Sequence, residues 1–436
     1  MNLLRILPYS IGIITVLIQV VFIYFYAVDV PYWDQWYSDA EIYILYNSGN
    51  LDLNFLFAAH NEHRIVITKI LNLLLYLLIG GWDPKIGMYF QAILPGMIAF
   101  VLARHFQKSY KKISGSILQS ILIIFVTSLP YQWENVFWSF QNHFYLIILL
   151  GIISHLLYLK KIDFKFLILQ FLLQLTLLFV NASGVLIILS TGMLNVFLLL
   201  FGKQRKKILI YFLLIQFFIL VLQYNLWVTV DSHSHLKANN IVILTRVFLK
   251  ILSFPFGNTA GLFFLLFLPV LIVLKKIYQS IHSDWSIRIP ELSFVVMIAL
   301  YSWFLLQDLA IAYGRAYSNV YSPRYLFTYG IQLILLSQIV LKYTNHSIRI
   351  QLFSFLYSSI LSLGIFYYFW TVSFSEIQQR KVDLLVAKES IFTFLNSGDK
   401  NPNILSKTLL PNQEYLKSII LHEEMKGFHL WLYNRD

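Results

Sequence analysis

The chain has 436 residues, 58% of them hydrophobic and only 12% charged, far short of the polar surface a soluble domain of this length presents to water. It contains no cysteine, which excludes disulfides, thiolate metal sites and cysteine nucleophiles and leaves oxygen and nitrogen groups for any chemistry. The net charge of +12 raises nucleic acid as a partner, but Lys and Arg fall in small groups between apolar runs, with no alternation of cations and stacking aromatics; no nucleic-acid groove is expected.

Apolar runs occur at 6–28, 64–80, 86–103, 113–129, 140–159, 164–180, 184–201, 208–228, 258–274, 291–311, 323–341 and 350–372. Several approach the roughly 20 residues that cross a bilayer core as helix, so an all-α, polytopic transmembrane bundle is expected. The first run lacks a small-residue cleavage site and reads as a retained helix. If every run spans and the N-terminus is inside, the cluster at 104–112 and all later basic groups fall outside, against the positive-inside bias. The conflict disappears if 64–80, short and carrying Lys69 and Asn72, lies on the outer surface as a juxtamembrane helix. Arg5, the 104–112 cluster, Lys160-Lys161, 203–207, Lys275-Lys276 and Lys342 then face the cytoplasm. About eleven spans, N-terminus inside and C-terminus outside, are therefore expected.

Three parts follow: 1–85, the first helix and its outer loop; 86–372, the bundle; and 373–436, a tail. The tail carries eight basic and eight acidic residues, and Ile377, Leu384, Ile391 and Phe394 fall on one helical face. A second tail helix is expected at about Gln413 to Lys426, capped by Gly427, making a small outer helical appendage.

Seven acids lie between positions 29 and 83: Asp29, Asp34, Asp39, Glu41, Asp52, Glu62 and Asp83. A wet loop is polar in any case, yet Asp34 stands among Tyr32, Trp33 and Trp36 where the first helix leaves the bilayer. Those rings fit an interfacial belt, and they would also desolvate Asp34 and strengthen it as a general base. His60, Glu62, His63 and Arg64 form a second polar knot, with the two histidines three apart and expected on one side of a helix start. That spacing allows a divalent metal, although ordinary hydrogen-bonding histidines are commoner and the metalloprotease pattern is absent. Glu134 and Gln141 sit in an outer loop where rings alternate with amides, suited to a sugar or to an interfacial anchor. Arg315, Arg324 and Tyr325 bracket a late outer loop; the arginine forks suit phosphate oxygens or lipid headgroups.

Taken in order, Tyr-Trp-Asp-x-Trp at 32–36, His-Asn-Glu-His-Arg at 60–64, Trp-Glu-Asn-x-x-Trp-x-Phe-Gln at 133–141 and Gly-Arg-Ala with Ser-x-Arg-Tyr at 314–325 are similar to a bacterial branch of the GT-C membrane glycosyltransferases. The resemblance covers roughly residues 1 to 340. It implies an inverting transfer from a polyprenyl-phosphate sugar to a hydroxyl of a glycan, lipid or protein acceptor, outside the bacterial cytoplasmic membrane. Asp34 is implied as the base. Trp33, Trp36, Asp39, Glu41, His60, Glu62, His63, Arg64, Glu134, Gln141, Arg315, Arg324 and Tyr325 are implied around the substrates. No cofactor is required, and a divalent metal is compatible but unsupported. One departure is that the acid-x-acid pair of several such enzymes is not formed at Asp34; Asp39-Ala40-Glu41 has that spacing. A transporter or flippase of lipid-linked sugars is the rival reading, and it would place ionisable residues in the span middles.

Overall fold

The computed structural model describes residues 2–107, 113–202, 206–280, 291–343 and 348–429. Parts of two basic groups, 108–112 and 203–205, lie outside the described residues. Every regular element among the described residues is helical. Runs of Leu, Ile, Phe and Val leave their backbone groups no water to bond, and a helix satisfies those groups within one segment.

Helix α1 (Asn2–Tyr26) leads through a non-helical stretch into α2 (Asp34–Tyr37), α3 (Asp39–Asn47), α4 (Leu53–Phe57) and α5 (Val66–Ile79). Asp52 starts α4 by accepting the Phe55 N–H at 2.8 Å, and Gly80, at φ 78°, ends α5. Asp83 caps α6 (Pro84–Gln91), which runs into α7 (Ile93–Gln107); α8 (Ile113–Ser128) and the short α9 (Trp133–Val136) follow. Then come α10 (Asn142–Leu157), α11 (Phe164–Leu178), α12 (Gly184–Phe201), α13 (Lys206–Asn225), α14 (Ile241–Leu252), α15 (Thr259–Ser280), α16 (Leu292–Gly314), α17 (Pro323–Tyr343) and α18 (Ile348–Tyr368). A π-turn at Phe369–Ser373 carries α18 directly into α19 (Phe374–Asn396), and α20 (Gln413–Ile420) closes the series.

Ten helical segments among the described residues are long and apolar enough to cross a bilayer, so the chain is a multi-pass membrane protein built as an all-α bundle. Helix α5 and helix α11 are apolar but shorter. The two behave differently. Helix α5 stays at the end of the bundle that carries the first loop: Lys69 Nζ donates to the carbonyls of Phe55 and Ala58, and the Tyr76 hydroxyl accepts from Asn47 at 2.8 Å. Helix α10 begins at this loop end, where Asn142 accepts from Thr68 Oγ1 at 2.5 Å, and runs away from it. Helix α11 returns, and the Phe179 carbonyl just beyond it accepts the Ile67 N–H at 3.1 Å.

Close helix approach explains one pair of glycines. A Cβ on Gly96 would stand 2.4 Å from Val16 Cγ2, and one on Gly12 would stand 3.0 Å from the Gly96 carbonyl oxygen. Helices α1 and α7 therefore pack backbone to backbone, as small residues permit in a membrane.

The tail is not a free appendage. Leu384, Ile391 and Phe394 of α19 join Leu409, Leu416 and Met425 in one apolar core with Trp36, Tyr43 and Trp82 of the first loop. Most of the expected apolar face is therefore filled by the first loop, while Ile377 packs in the bundle core. The second tail helix is shorter than expected: it ends at Ile420, because the His422 ring accepts the Glu424 N–H and starts a separate turn over Glu423–Met425. Gly427 takes φ 83° after that turn. One acid lies inside the bundle: Asp308 of α16 is fully buried, its two carboxylate oxygens 2.9 and 2.8 Å from the Gln332 amide nitrogen.

Candidate functional site

The first loop leaves α1 through Pro31, whose carbonyl accepts the indole N–H of the fully buried Trp36 at 3.1 Å. Trp33 follows at φ 45°, ψ −111°, a conformation that costs a bulky residue roughly 1–3 kcal/mol. Its backbone N–H donates to the Leu409 carbonyl at 2.9 Å and its indole to the Thr408 carbonyl at 3.2 Å. The next residue is Asp34.

His60 and His63 are not on a helix. They exchange backbone hydrogen bonds of 2.7 and 3.1 Å across a tight turn, and Asn61 takes φ 52°, which asparagine tolerates; the helix starts only at Val66. The turn sends its side chains to different partners. His60 Nε2 comes within 3.3 Å of Asp34 Oδ1, without the alignment of a hydrogen bond. Glu62 Oε1 instead receives Arg315 Nη2 at 2.9 Å and His233 Nδ1 at 3.0 Å. Burial opposes the charge on Glu62, but its backbone hydrogen bond, the neighbouring histidines and Arg315 outweigh that and lower its pKa. Burial pushes His63 down to about 4, so it is neutral. No group of three His, Asp or Glu among the described residues is arranged to hold a metal ion.

These segments enclose a cavity of about 590 Å³. Of the residues singled out from sequence, Trp33, Asp34, His60, Glu62, His63, Gln141, Arg315, Arg324 and Tyr325 line it. Their chain positions span nearly three hundred residues, so only the fold unites them. Arg324 Nε contacts Glu134 Oε2 at 2.8 Å, and Glu134 also accepts from Ser322 Oγ at 3.3 Å; Glu134 thus stands behind the arginine as its counter-ion. Trp138 and Phe140 stack with centroids 5.9 Å apart and form an aromatic side. Phe144, Ile147 and Ile311 give the cavity an apolar portion between α10 and α16. Four buried polar atoms of the lining have no hydrogen-bond partner among the described residues: Trp138 Nε1, Gln141 Oε1, His60 Nε2 and His63 Nδ1. Unsatisfied groups this concentrated are what a polar ligand would complete.

Four other expected residues are placed elsewhere. Trp36 belongs to the apolar core shared with the tail. Asp39 is buried away from the cavity, accepting from Asn72 Nδ2 at 2.9 Å and Gln35 Nε2 at 3.4 Å, and burial raises its pKa to about 7. Glu41 turns the opposite way and accepts the Tyr415 hydroxyl at 2.7 Å; two residues apart on a helix are roughly 200° apart, so the acid-x-acid spacing does not converge here. Arg64 donates from Nη1 to the Phe57 carbonyl at 2.5 Å and from Nε to the Leu226 carbonyl at 3.2 Å, tying the first loop to the end of α13.

Sequence reasoning gave little or no weight to His143, Asn181, Ser183, His233, Lys237 and Gln307, all of which line the cavity. His233 carries a faint signal in its His-x-His pattern, and His143 lies two residues beyond the 133–141 motif. Asn181, Ser183 and Lys237 are ordinary loop residues with no local mark.

What the fold and cavity define is a class: a multi-pass membrane protein with an aromatic-walled cavity of mixed charge at one end of its bundle. No protein-family model, characterised protein or solved structure matches the chain.

Proposed function

We propose that the chain is a GT-C-type membrane glycosyltransferase that moves a sugar from a polyprenyl-phosphate donor to a hydroxyl of a glycan, lipid or protein acceptor. The observation that carries this reading is one cavity holding Asp34 beside His60 together with Arg315 and Arg324 from the 314–325 wall. Asp34 takes the proton of the acceptor hydroxyl as that oxygen bonds to the anomeric carbon. The bond from that carbon to the phosphate oxygen breaks, and the polyprenyl phosphate leaves with the electron pair. Its charge is met by Arg324 and Arg315, whose forks retain nitrogens beyond those given to Glu134 and Glu62. Attack opposite the leaving group inverts the anomeric centre. Trp138 and Phe140 offer planar apolar faces to a sugar, and Trp138 Nε1 and Gln141 Oε1 supply a donor and an acceptor for its hydroxyls. Phe144, Ile147 and Ile311 suit the first isoprene units. Arg64, which does not line the cavity, is left out of the phosphate site in this reading.

The same reading assigns eleven crossings of the bacterial cytoplasmic membrane, N-terminus inside and tail outside. The core shared by the tail and the loop after α1 supports an odd count on this reading, with the ten long apolar helices joined by one shorter apolar helix. Helix α11 supports that role, having its two ends at opposite ends of the bundle; its 15 residues reach about 22 Å. Lys160-Lys161 then lies inside, in keeping with the positive-inside bias.

The test is transfer from a panel of radiolabelled polyprenyl-phosphate sugars by purified protein in nanodiscs, with Asp34→Asn and Arg324→Ala for comparison. Transfer abolished in Asp34→Asn and strongly reduced in Arg324→Ala is expected; no transfer from any donor, or full activity of Asp34→Asn, sinks the assignment. Asp308, next to the cavity residue Gln307, favours a second reading as a transporter or flippase of lipid-linked sugars, because acids inside spans mark conduction paths. Movement of labelled lipid across proteoliposomes without transfer would decide for it.

A further inference from the structure

Trp33 holds a conformation that bulky residues avoid, yet its side chain is 43% exposed, so burial of the indole is not what keeps it there. Three contacts over-determine it, and all come from the far end of the chain or act on its neighbour. The carbonyls of Leu409 and Thr408, in the loop before α20, receive its backbone N–H and its indole N–H. The guanidinium of Arg380 on α19 lies between two rings, 4.0 Å from the centroid of Tyr32 and 4.8 Å from that of Trp133. Arg380 Nε and Nη2 are buried and have no hydrogen-bond partner among the described residues, so these nitrogens sit against ring faces, which a planar, weakly hydrated guanidinium suits. On the cavity side, Tyr32 packs edge-on against Trp138, with centroids 5.1 Å apart.

We infer that the C-terminal segment is a working part of the cavity: Thr408, Leu409 and Arg380 hold the Tyr32–Trp33 pair and so position Asp34 beside His60. Arg380 is a positioning residue, acting through Tyr32. Strain is retained at position 33 because an unstrained backbone there would rotate the residue that follows it. The tail therefore completes the site rather than decorating it. The inference uses only the placement of Asp34 in the cavity, not the proposed transfer reaction.

The absence of cysteine makes the test clean. Full-length Asp34→Cys protein in nanodiscs is labelled with an impermeant maleimide across pH, and the profile gives the apparent pKa of a thiol at position 34. In a cavity that also holds the guanidinium groups of Arg315 and Arg324, that pKa is expected below the free-thiol value of about 8.5. Adding Trp33→Phe, which removes the indole donor, or Arg380→Ala, which empties the stack, is expected to move it by about half a unit or more toward that value. Arg380→Lys, which keeps a cation between the rings, recovers part of the shift. Ser318→Cys, on the 314–325 wall, keeps its profile in every background. An unchanged profile at position 34 in either variant overturns the inference, and so does an equal shift at Ser318→Cys, which would signify general loosening. A protein that transfers no sugar yet gives the expected shifts would refute the glycosyltransferase reading and leave this one standing.

Discussion

Arg315 Nη2 and Glu62 Oε1 meet at 2.9 Å across the cavity, joining the end of α16 to the turn at 60–63. Both side chains are about a quarter exposed, so solvent screens the pair, and His233 shares the same oxygen. A double-mutant cycle with Glu62→Gln and Arg315→Gln is expected to give a coupling of about 1 kcal/mol in thermal unfolding, shrinking as salt is raised. A coupling of zero would mean that the two walls stand independently.

Asp39 should make the protein less stable as the solution goes from acid to neutral. Its carboxyl shifts from 3.8 to about 7 in the folded chain because burial penalises the charge, so between those values the folded state holds a proton that the unfolded state has lost. Stability therefore falls as pH rises through that window and is level above it, by about 4 kcal/mol at most. Asp39→Asn keeps an acceptor for Asn72 and is expected to flatten the decline in melting temperature between pH 5 and 8. A decline of unaltered slope in Asp39→Asn would show that the carboxyl is not responsible.

The behaviour of Asp39 also shows where sequence reading reaches its limit. Apolar runs and their lengths declare the bundle, because lipid leaves the backbone few alternatives, and the clustering of acids before position 83 and of aromatics around Asp34 marks the right loop. Which acid of that loop is buried is a tertiary matter. Local reasoning desolvates Asp34 through its aromatic neighbours, whereas the fully buried carboxyl is Asp39, enclosed by Gln35 and Asn72. The His60–His63 pair fails for a related reason. Three-residue spacing describes both a helical turn and a tight turn, and the left-handed backbone of Asn61 selects the second. The tail's apolar face is visible at Ile377, Leu384, Ile391 and Phe394, but nothing in that pattern names Trp36, Tyr43 and Trp82 as what most of it covers.

His63 acts at the opposite end of the pH range. Burial lowers its pKa from 6.5 to about 4, so the folded state resists a proton that the unfolded state accepts, and stability is lost as pH falls from 6.5 toward 4. The loss attributable to this one ring is about 3 kcal/mol at most. His429, lowered to about 4 by burial in the tail, adds an independent share. His63→Gln and His429→Gln are each expected to soften the acid limb of a melting-temperature profile, and the double variant to combine the two effects. If neither substitution moves that limb, carboxylate protonation alone accounts for it.

Gly96→Ala places a methyl 2.4 Å from Val16 Cγ2 and 3.0 Å from the Gly12 carbonyl oxygen, where α1 and α7 touch. Forcing the helices apart is expected to cost about 1–3 kcal/mol. Shortening the opposing side chain should recover part of it, so Val16→Ala in the Gly96→Ala background is expected to raise the melting temperature, although Val16→Ala alone lowers it. A wild-type melting temperature for Gly96→Ala would show that the contact yields freely.

The eleven-crossing arrangement makes a prediction at four positions of a cysteine-free chain. Single cysteines at Leu71, Ala182 and Ser390 should react with an impermeant reagent from one side of sealed vesicles, and one at Lys161 only after permeabilisation. Leu71 reports α5 lying along the loop end, and Ser390 reports the tail packed upon it. Lys161 and Ala182 flank α11, the helix assigned the eleventh crossing in the proposed arrangement. Labelling of Ala182 and Lys161 from the same side would mean that α11 does not cross. The tail and the first loop would then need a different eleventh helix to reach the same side, and α5, with both ends at the loop end, cannot provide it.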